Sequence, residues 1–592
     1  MSKRPRKRVP APPPSEASGA AANDLPSSAA PPTGATAGGE TPLMRELFGI
    51  DLRSLALFRI LLGAFLVLDL ALRARDIEAF YTDFGVLPAQ ALPMAWDGAR
   101  MLCFHQYFGS VPGVALLFLI NAVFAVMLMV GYRTRIATFL CLLFVNSLQA
   151  RNPAVLQGGD ILLRVLVFWA LFLPLGAYLS LDCRRHRPQP AGADPRVLSV
   201  GTVAILLQVC FVYVFTALLK SHPSWRSDGD AVYLALQLDG FARPLGEFLR
   251  PYHGFLRLAT HGTLLFEAFG TLFAFYPVRN GPVRTAVVFA FWFFHLVALN
   301  LCMDVGHFPY VCAIAWTVFL PPWFWEKAGA AWRKLPESAL RRRAEAAVAA
   351  NLPRGSLPPY STRLAWPLQV VAAFFLVYVL IWNARSLDYK RWVRVFPRSL
   401  NFIGEVPHVD QYWAMFAPKP MTDDGWFVIP GKLRGGGEVD LWEYGAPVSW
   451  EKPESVLRAY RSDRWRKYMT NLLDIRNARY RLHFGRYLAN QWNRDHYDDE
   501  EVTTFEICYM REDSQHGFKP PLPPRKVVMW RHWCFPEFAP KVNETAPLTG
   551  PTVDIYYPRP GEKPKPAPAA SARPPAAAST GGTPDKDKRT EP

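Results

Sequence analysis

SLALFRILLGAFLVLDLALRA, residues 54–74, decides the fold class of this chain. About 20 apolar residues at 1.5 Å rise each cross a hydrocarbon core of roughly 30 Å. No water is available there to bond the backbone, so such a run is a helix. Eight further runs follow, at 112–131, 135–150, 161–181, 198–219, 255–276, 284–303, 307–325 and 366–386. The run at 135–150 is the shortest, and Gln149 and Arg151 weaken its end. The pattern predicts an all-α polytopic membrane bundle of about nine transmembrane helices, followed by a small α+β extracytoplasmic domain.

Composition agrees. Of 592 residues, 51% are hydrophobic and 19% charged, which suits a bilayer better than water. The net charge of +17 would suit a nucleic-acid partner if it were spread over one soluble face. It is instead gathered in alternate loops, at Arg133 and Arg135, at Arg184, Arg185, Arg187 and Arg196, at Arg279 and Arg284, and from Lys327 to Arg363. The opposite loops are poorer in Lys and Arg and hold Asp76, Glu78, Asp83, Asp97, Asp228, Asp230 and Asp239. That asymmetry places the basic loops and the N-terminus, with Lys3, Arg4, Arg6, Lys7 and Arg8, in the cytoplasm. The expected location is the cell inner membrane, multi-pass, with an extracytoplasmic C-terminal domain, the lipid bilayer as partner and no nucleic acid.

Residues 1–42 and 561–592 are low-complexity tails that bury too little apolar surface to fold. A transmembrane domain over 47–325 precedes a basic loop at 326–365, in which Ser338–Ala350 suits an amphipathic helix. The last span is 366–386, and 387–560 carries mixed charges, many Trp and Tyr, and strand-like pieces. There WFVIPGKLRGGGEVDLWEYG reads as a hairpin about a Gly-rich turn, Pro453–Leu473 as a helix, and TTFEICYMRE and RKVVMWRHWCF as strands. Tyr81, Phe84 and Trp96 in one outer loop, and Trp225, Tyr233, Phe241 and Phe248 in another, suggest short helices at headgroup depth. The eight cysteines follow no metal spacing; only Cys508 and Cys534 fall together where a disulfide is permitted.

Ionisable groups inside apolar runs are costly and mark packing pairs or functional sites. Arg59, Asp69, Arg164, Glu267 and His295 are such groups, and Lys220 ends its run at the outer face. A lysine held against an apolar wall can serve as a neutral amine base; one that bends to the headgroups only snorkels. His295 is equally readable as a core histidine bonded to a carbonyl. No Walker A, HExxH, GxSxG or dinucleotide fingerprint is present.

Five collinear stretches carry a resemblance: SLALFRILLGAFLVLDL at 54–70, GYRTR at 131–135, GGDILLRVLVFWALFLPLGAYLSLD at 158–182, VYVFTALLKSHPSW at 212–225 and FFHLVALNLCMDVGHFPYV at 293–311. Together they resemble the horizontally transferred transmembrane (HTTM) domain family, which includes the vitamin K-dependent γ-glutamyl carboxylase. The resemblance implies that Lys220 is the base that deprotonates a reduced quinone of the vitamin K hydroquinone kind, with His295 as a second catalytic residue. It further implies Trp225, Glu267, His307 and Tyr310 as cofactor-binding residues, no metal, and a protein or peptide as the carboxylated substrate. Gly158 and Gly159 stand where the carboxylase has an Asn-His pair, which implies quinol oxygenation without carboxylation. DQYWAMFAPKPMTDDGWFVIPG at 410–431 looks like the outer domain of bacterial members. The competing expectation is a non-catalytic membrane protein that binds a lipid or a protein through its outer domain. Transport is weakened by the lack of inverted repeats.

Overall fold

The computed structural model describes residues 41–95, 103–190 and 192–539. Trp96, Asp97 and most of both predicted tails lie outside the described residues. The decisive run forms helix α1, Leu52–Ala74, started by the Asp51 side chain accepting from the Arg53 N–H. The bundle continues with α2 Val111–Val130, α3 Thr134–Arg151, α4 Gly158–Ala170, α5 Val200–Leu219, α6 His253–Phe273 and α7 Asn280–Trp292. After α7 a π-helical turn, Phe293–Leu299, leads into α8 Phe308–Trp316, then α9 Pro322–Lys334, α10 Ala339–Ala350 and α11 Trp366–Leu387.

Five of these helices are long and apolar enough to cross a bilayer, α1, α2, α5, the continuous Asn280–Cys302 and α11. A sixth span counts if Phe308–Phe319 and Pro322–Lys334, bent by 97°, are one. Among the described residues the predicted count of about nine is therefore not confirmed. The remaining runs do contain helices, but α4 has only 13 residues, while α3 holds Asn146, Gln149 and Arg151 and α6 holds Arg257, His261 and Glu267. Polar side chains lower the hydropathy of α3 because they bond inside the protein: Gln149 donates to the Asp160 carbonyl and Arg151 to those of Leu87 and Thr82.

Contacts between loops gather the helix ends into two groups. At one end Ile50 and Asp51 pair with Val197 and Arg196, Asp182 accepts from the backbone of Arg133 and Thr134, and His186 bridges to Leu357. The basic loops thus share one end of the bundle. At the other end lie Lys220 and the C-terminal domain, joined by the His222 N–H bond to the Pro418 carbonyl. Tyr81, Trp225 and Tyr233 are buried at this end, whereas Phe84 and Phe248 are exposed. The C-terminal domain covers the first three, and that contact replaces lipid.

That domain is an antiparallel sheet with two helices, α12 Asp463–Leu473 and α13 Arg479–Asn493. Its strands are β1 Asp423–Val428, β2 Pro430–Leu433, β3 Glu438–Asp440, β4 Val502–Asp513 and β5 Arg525–Trp533. The order is β1-β4-β2-β3, with β5 also paired to β4. The hairpin about Gly435–Gly437 is β2–β3, while β1 parts from it at Ile429 and pairs with β4. The helix expected over Pro453–Leu473 is split, because Ser462 caps a new start for α12. Cys508 and Cys534 are both free thiols, which burial pushes up to about 12.

Candidate functional site

Helix α5 begins under a Ser199 capping box and leaves helical geometry at Lys220, where ψ is 66°. The side chain does not run outward to a headgroup layer. It turns inward, only 2% exposed, with Nζ 2.5 Å from Glu267 Oε2 on α6 and 4.2 Å over the Trp225 ring. Trp225 sits in the short turn Pro223–Arg226, capped by His222, and its Nε1 donates to the Phe416 carbonyl. Arg226 Nε donates to the Lys220 carbonyl and closes the turn.

Two helical turns deeper on α5, Tyr213 faces the same way, since residues seven apart share a helix face. Its hydroxyl lies 2.8 Å from His295 Nε2 and accepts from Trp316 Nε1 at 2.9 Å. His295 stands on the π-helical turn, a distortion that often marks functional positions. Its Nδ1 is buried and has no hydrogen-bond partner among the described residues. Such an orphan costs about 1–3 kcal/mol unless something bonds it. Phe294 and Phe308 meet the imidazole edge-on.

A segment after the last span completes this wall. Arg164 pairs with Asp410 at 3.1 Å, Gln208 exchanges amide bonds with Gln411, and Thr216 donates to the Trp413 carbonyl. Trp413 and Gln411 are buried, so residues 408–418 run along α5 from Gln208 to His222 as a strap inside the bundle. Its polar residues explain Arg164. Arg59, by contrast, spends its donors on the carbonyls of Leu175 and Leu179, a packing role.

A second buried cluster lies nearby. Asp69 accepts from Arg73 and from Arg464, each at 2.7 Å, and Asp160 pairs with Arg73 and, at 3.3 Å, with Arg464. His307 places Nε2 3.5 Å from Asp160 and Nδ1 3.3 Å from Gln157 Nε2 and 3.8 Å from Asp463. Burial by itself would raise the Asp463 carboxyl; the His307 ring and the Arg464 guanidinium outweigh it and hold it down to about 2. Ligand atoms of Asp69, Asp160 and His307 lie within 4.8 Å of one another, as a metal ion would need. Both carboxylates are already compensated by two guanidinium groups, so the donor set does not favour an added cation.

The six predicted site residues therefore divide. Lys220 touches both Glu267 and Trp225, and His295 bonds Tyr213, seven residues before Lys220 on α5. His307 belongs to the ionic cluster, and Tyr310 is exposed, its hydroxyl accepting from Asn300 at 3.3 Å. Gly159 explains the position of His307, since a Cβ there would fall 2.6 Å from that ring, whereas at Gly158 the nearest atom is 3.5 Å away. Tyr213 escaped the sequence reading because a tyrosine in an apolar run carries no charge; only its seven-residue spacing from Lys220 could have marked it.

Residues 49–324 match the family model of the HTTM domain. No curated protein and no solved structure matches the chain.

Proposed function

We propose, from the match of residues 49–324 to the family model of the HTTM domain, a membrane enzyme that deprotonates a lipid-soluble quinol at the Lys220–Glu267 pair. The observation that carries this proposal is a buried amine in direct contact with one carboxylate, 2.5 Å away, beside an aromatic wall. A pair of this kind is neutral overall whether the proton sits on nitrogen or on oxygen, and the second arrangement buries no charge. With the proton on Glu267, Lys220 is an amine able to accept one from a hydroxyl in contact with it. The ammonium so formed faces the quinolate while Glu267 keeps its own proton, and the site returns to its starting state when Lys220 gives up the gained proton to the departing product or to solvent.

The residues suit a flat apolar ring with polar groups at its edge: Trp225 stands against the amine, and the orphan Nδ1 of His295 offers a bond. A reduced quinone, when bound, supplies an ionisable phenolic hydroxyl and, with oxygen, oxidising chemistry. Tyr213 and His295 hold a second proton-bearing contact in line with Lys220 on α5. Glycines at 158 and 159 leave no imidazole of the carboxylase kind there, which supports oxygenation without glutamate carboxylation. The proposed setting is nine crossings of an inner membrane, basic end cytoplasmic and C-terminal domain outside.

A second possibility is a non-catalytic protein, favoured by the completeness with which Glu267 alone satisfies Lys220. The experiment that separates the two is oxygen-dependent quinol consumption by purified wild type, Lys220→Ala and Glu267→Gln. Loss in both variants, with thermal unfolding still cooperative, supports the enzyme. Background rates in all three dismiss it.

A further inference from the structure

At the end of the bundle opposite Lys220 the chain builds an arm that no catalytic proposal uses. Following Phe308–Phe319, the backbone bends by 97° into Pro322–Lys334, so α9 lies across the bundle axis rather than along it. One side of α9 is seated: Phe324 and Trp325 pack on the core, and Trp325 Nε1 donates to Ser54. Trp323 and Trp332 are 37% and 40% exposed. Ser338 then caps α10, which buries no residue at all. Leu357 returns to pair with the Arg185–His186 loop, which fixes the arm to the basic end.

The acids of the arm are few, and Glu345 is taken by Arg341 at 2.9 Å and by Trp332. Exposed cations remain, among them Arg185, Arg187, Arg333, Lys334, Arg343 and Arg354, with no ion pair among the described residues. Exposed Trp366, which opens α11, stands at the same end. Indole rings collect at headgroup depth, so cations at their level meet lipid phosphates before any solute.

We propose that this arm is a binding surface for anionic phospholipid headgroups, with α9 and α10 lying in the membrane plane. Charge complementarity selects the lipid, and the tryptophans set its depth; a polyanion in solution would need the cations to project beyond that plane.

The test uses the full chain reconstituted in mixed phosphatidylcholine–phosphatidylglycerol bilayers, re-extracted in mild detergent, with retained lipid identified by native mass spectrometry. Wild type is expected to retain phosphatidylglycerol in excess of its bulk share. Arg333→Gln/Lys334→Gln/Arg343→Gln should reduce that excess about tenfold, and Arg476→Gln in the C-terminal domain should leave it unchanged. Equal retention of both lipids by wild type, or an unchanged excess in the triple variant, overturns the proposal. Capture of polyuridylate by wild type as tightly as phosphatidylglycerol also overturns it and indicates general polyanion binding. If the triple variant fails to fold, wild-type tryptophan quenching decides: brominated phosphatidylglycerol should quench more than brominated phosphatidylcholine, and equal quenching refutes the surface.

Discussion

The Asp69–Arg73–Asp160–Arg464 cluster and the Lys220–Glu267 pair lie at the same end of one bundle, yet they compensate buried charge in opposite ways. In the cluster each carboxylate meets two guanidinium groups, and one of these reaches in from the C-terminal domain. Burial and Arg73 both work against the charge on Arg464, but Asp160 and Asp69 hold it above the ordinary guanidinium range. No proton is free to move there. The pair has one partner on each side, and the Nδ1 of His295 has none among the described residues. Redundant compensation fixes geometry, whereas minimal compensation leaves a proton that can change owner.

The largest effect should come from breaking the redundant side. Arg464→Leu leaves Asp69 and Asp160 sharing Arg73 in a dry site, an imbalance that costs about 3–5 kcal/mol. Thermal unfolding in detergent should show a large drop, and adding Asp160→Asn should restore much of it; a variant as stable as wild type would mean that the clasp is ornamental. On the minimal side, Lys220→Ala should lower oxygen-dependent quinol turnover by about 10²–10⁴-fold. There the double variant Lys220→Met/Glu267→Gln should be more stable than Lys220→Met alone, because it leaves no unpaired carboxylate.

A smaller effect tests how closely the cluster is packed. Gly159→Ala places a Cβ 2.6 Å from the His307 ring and should cost about 1–3 kcal/mol, while Gly158→Ala should be tolerated. The double-glycine motif would have no packing role if both behaved alike. The smallest effect concerns a third contact between the domains, where Asp424 Oδ2 accepts from the Asp239 N–H at 2.5 Å. Burial, and then the neighbouring Asp239 charge, raise the Asp424 carboxyl to about 7. A raised carboxyl favours the folded state most below its unfolded value near 4, and that advantage is lost as pH climbs to about 7. Melting temperatures of wild type should therefore fall relative to Asp424→Asn between those limits, and parallel curves would remove the pH link.

Much of this architecture was legible in the residues themselves. Helices appear wherever an apolar run was read, and β4 with β5 follow the two predicted strands, since β-branched and aromatic residues mark a half-buried sheet. Lys220 was visible as a charge at the end of an apolar run, but its direction was not: snorkelling and burial leave the same sequence signature. His307, read as a cofactor-binding residue, fills the room that Gly159 leaves. The strap at 408–418 reads as part of the outer domain, and nothing local in DQYWAMF says that it enters the bundle.

Hydropathy adds residue by residue along the chain, so the sequence alone determined residence in the membrane, the helix positions and the division of charge between alternate loops. Pairing has no such local signal. Lys220 and Glu267 are 47 residues apart and Asp69 and Arg464 are 395 apart. Only the packed structure decided which buried charge meets which, because compensation depends on distance across segments rather than on the order of residues within them.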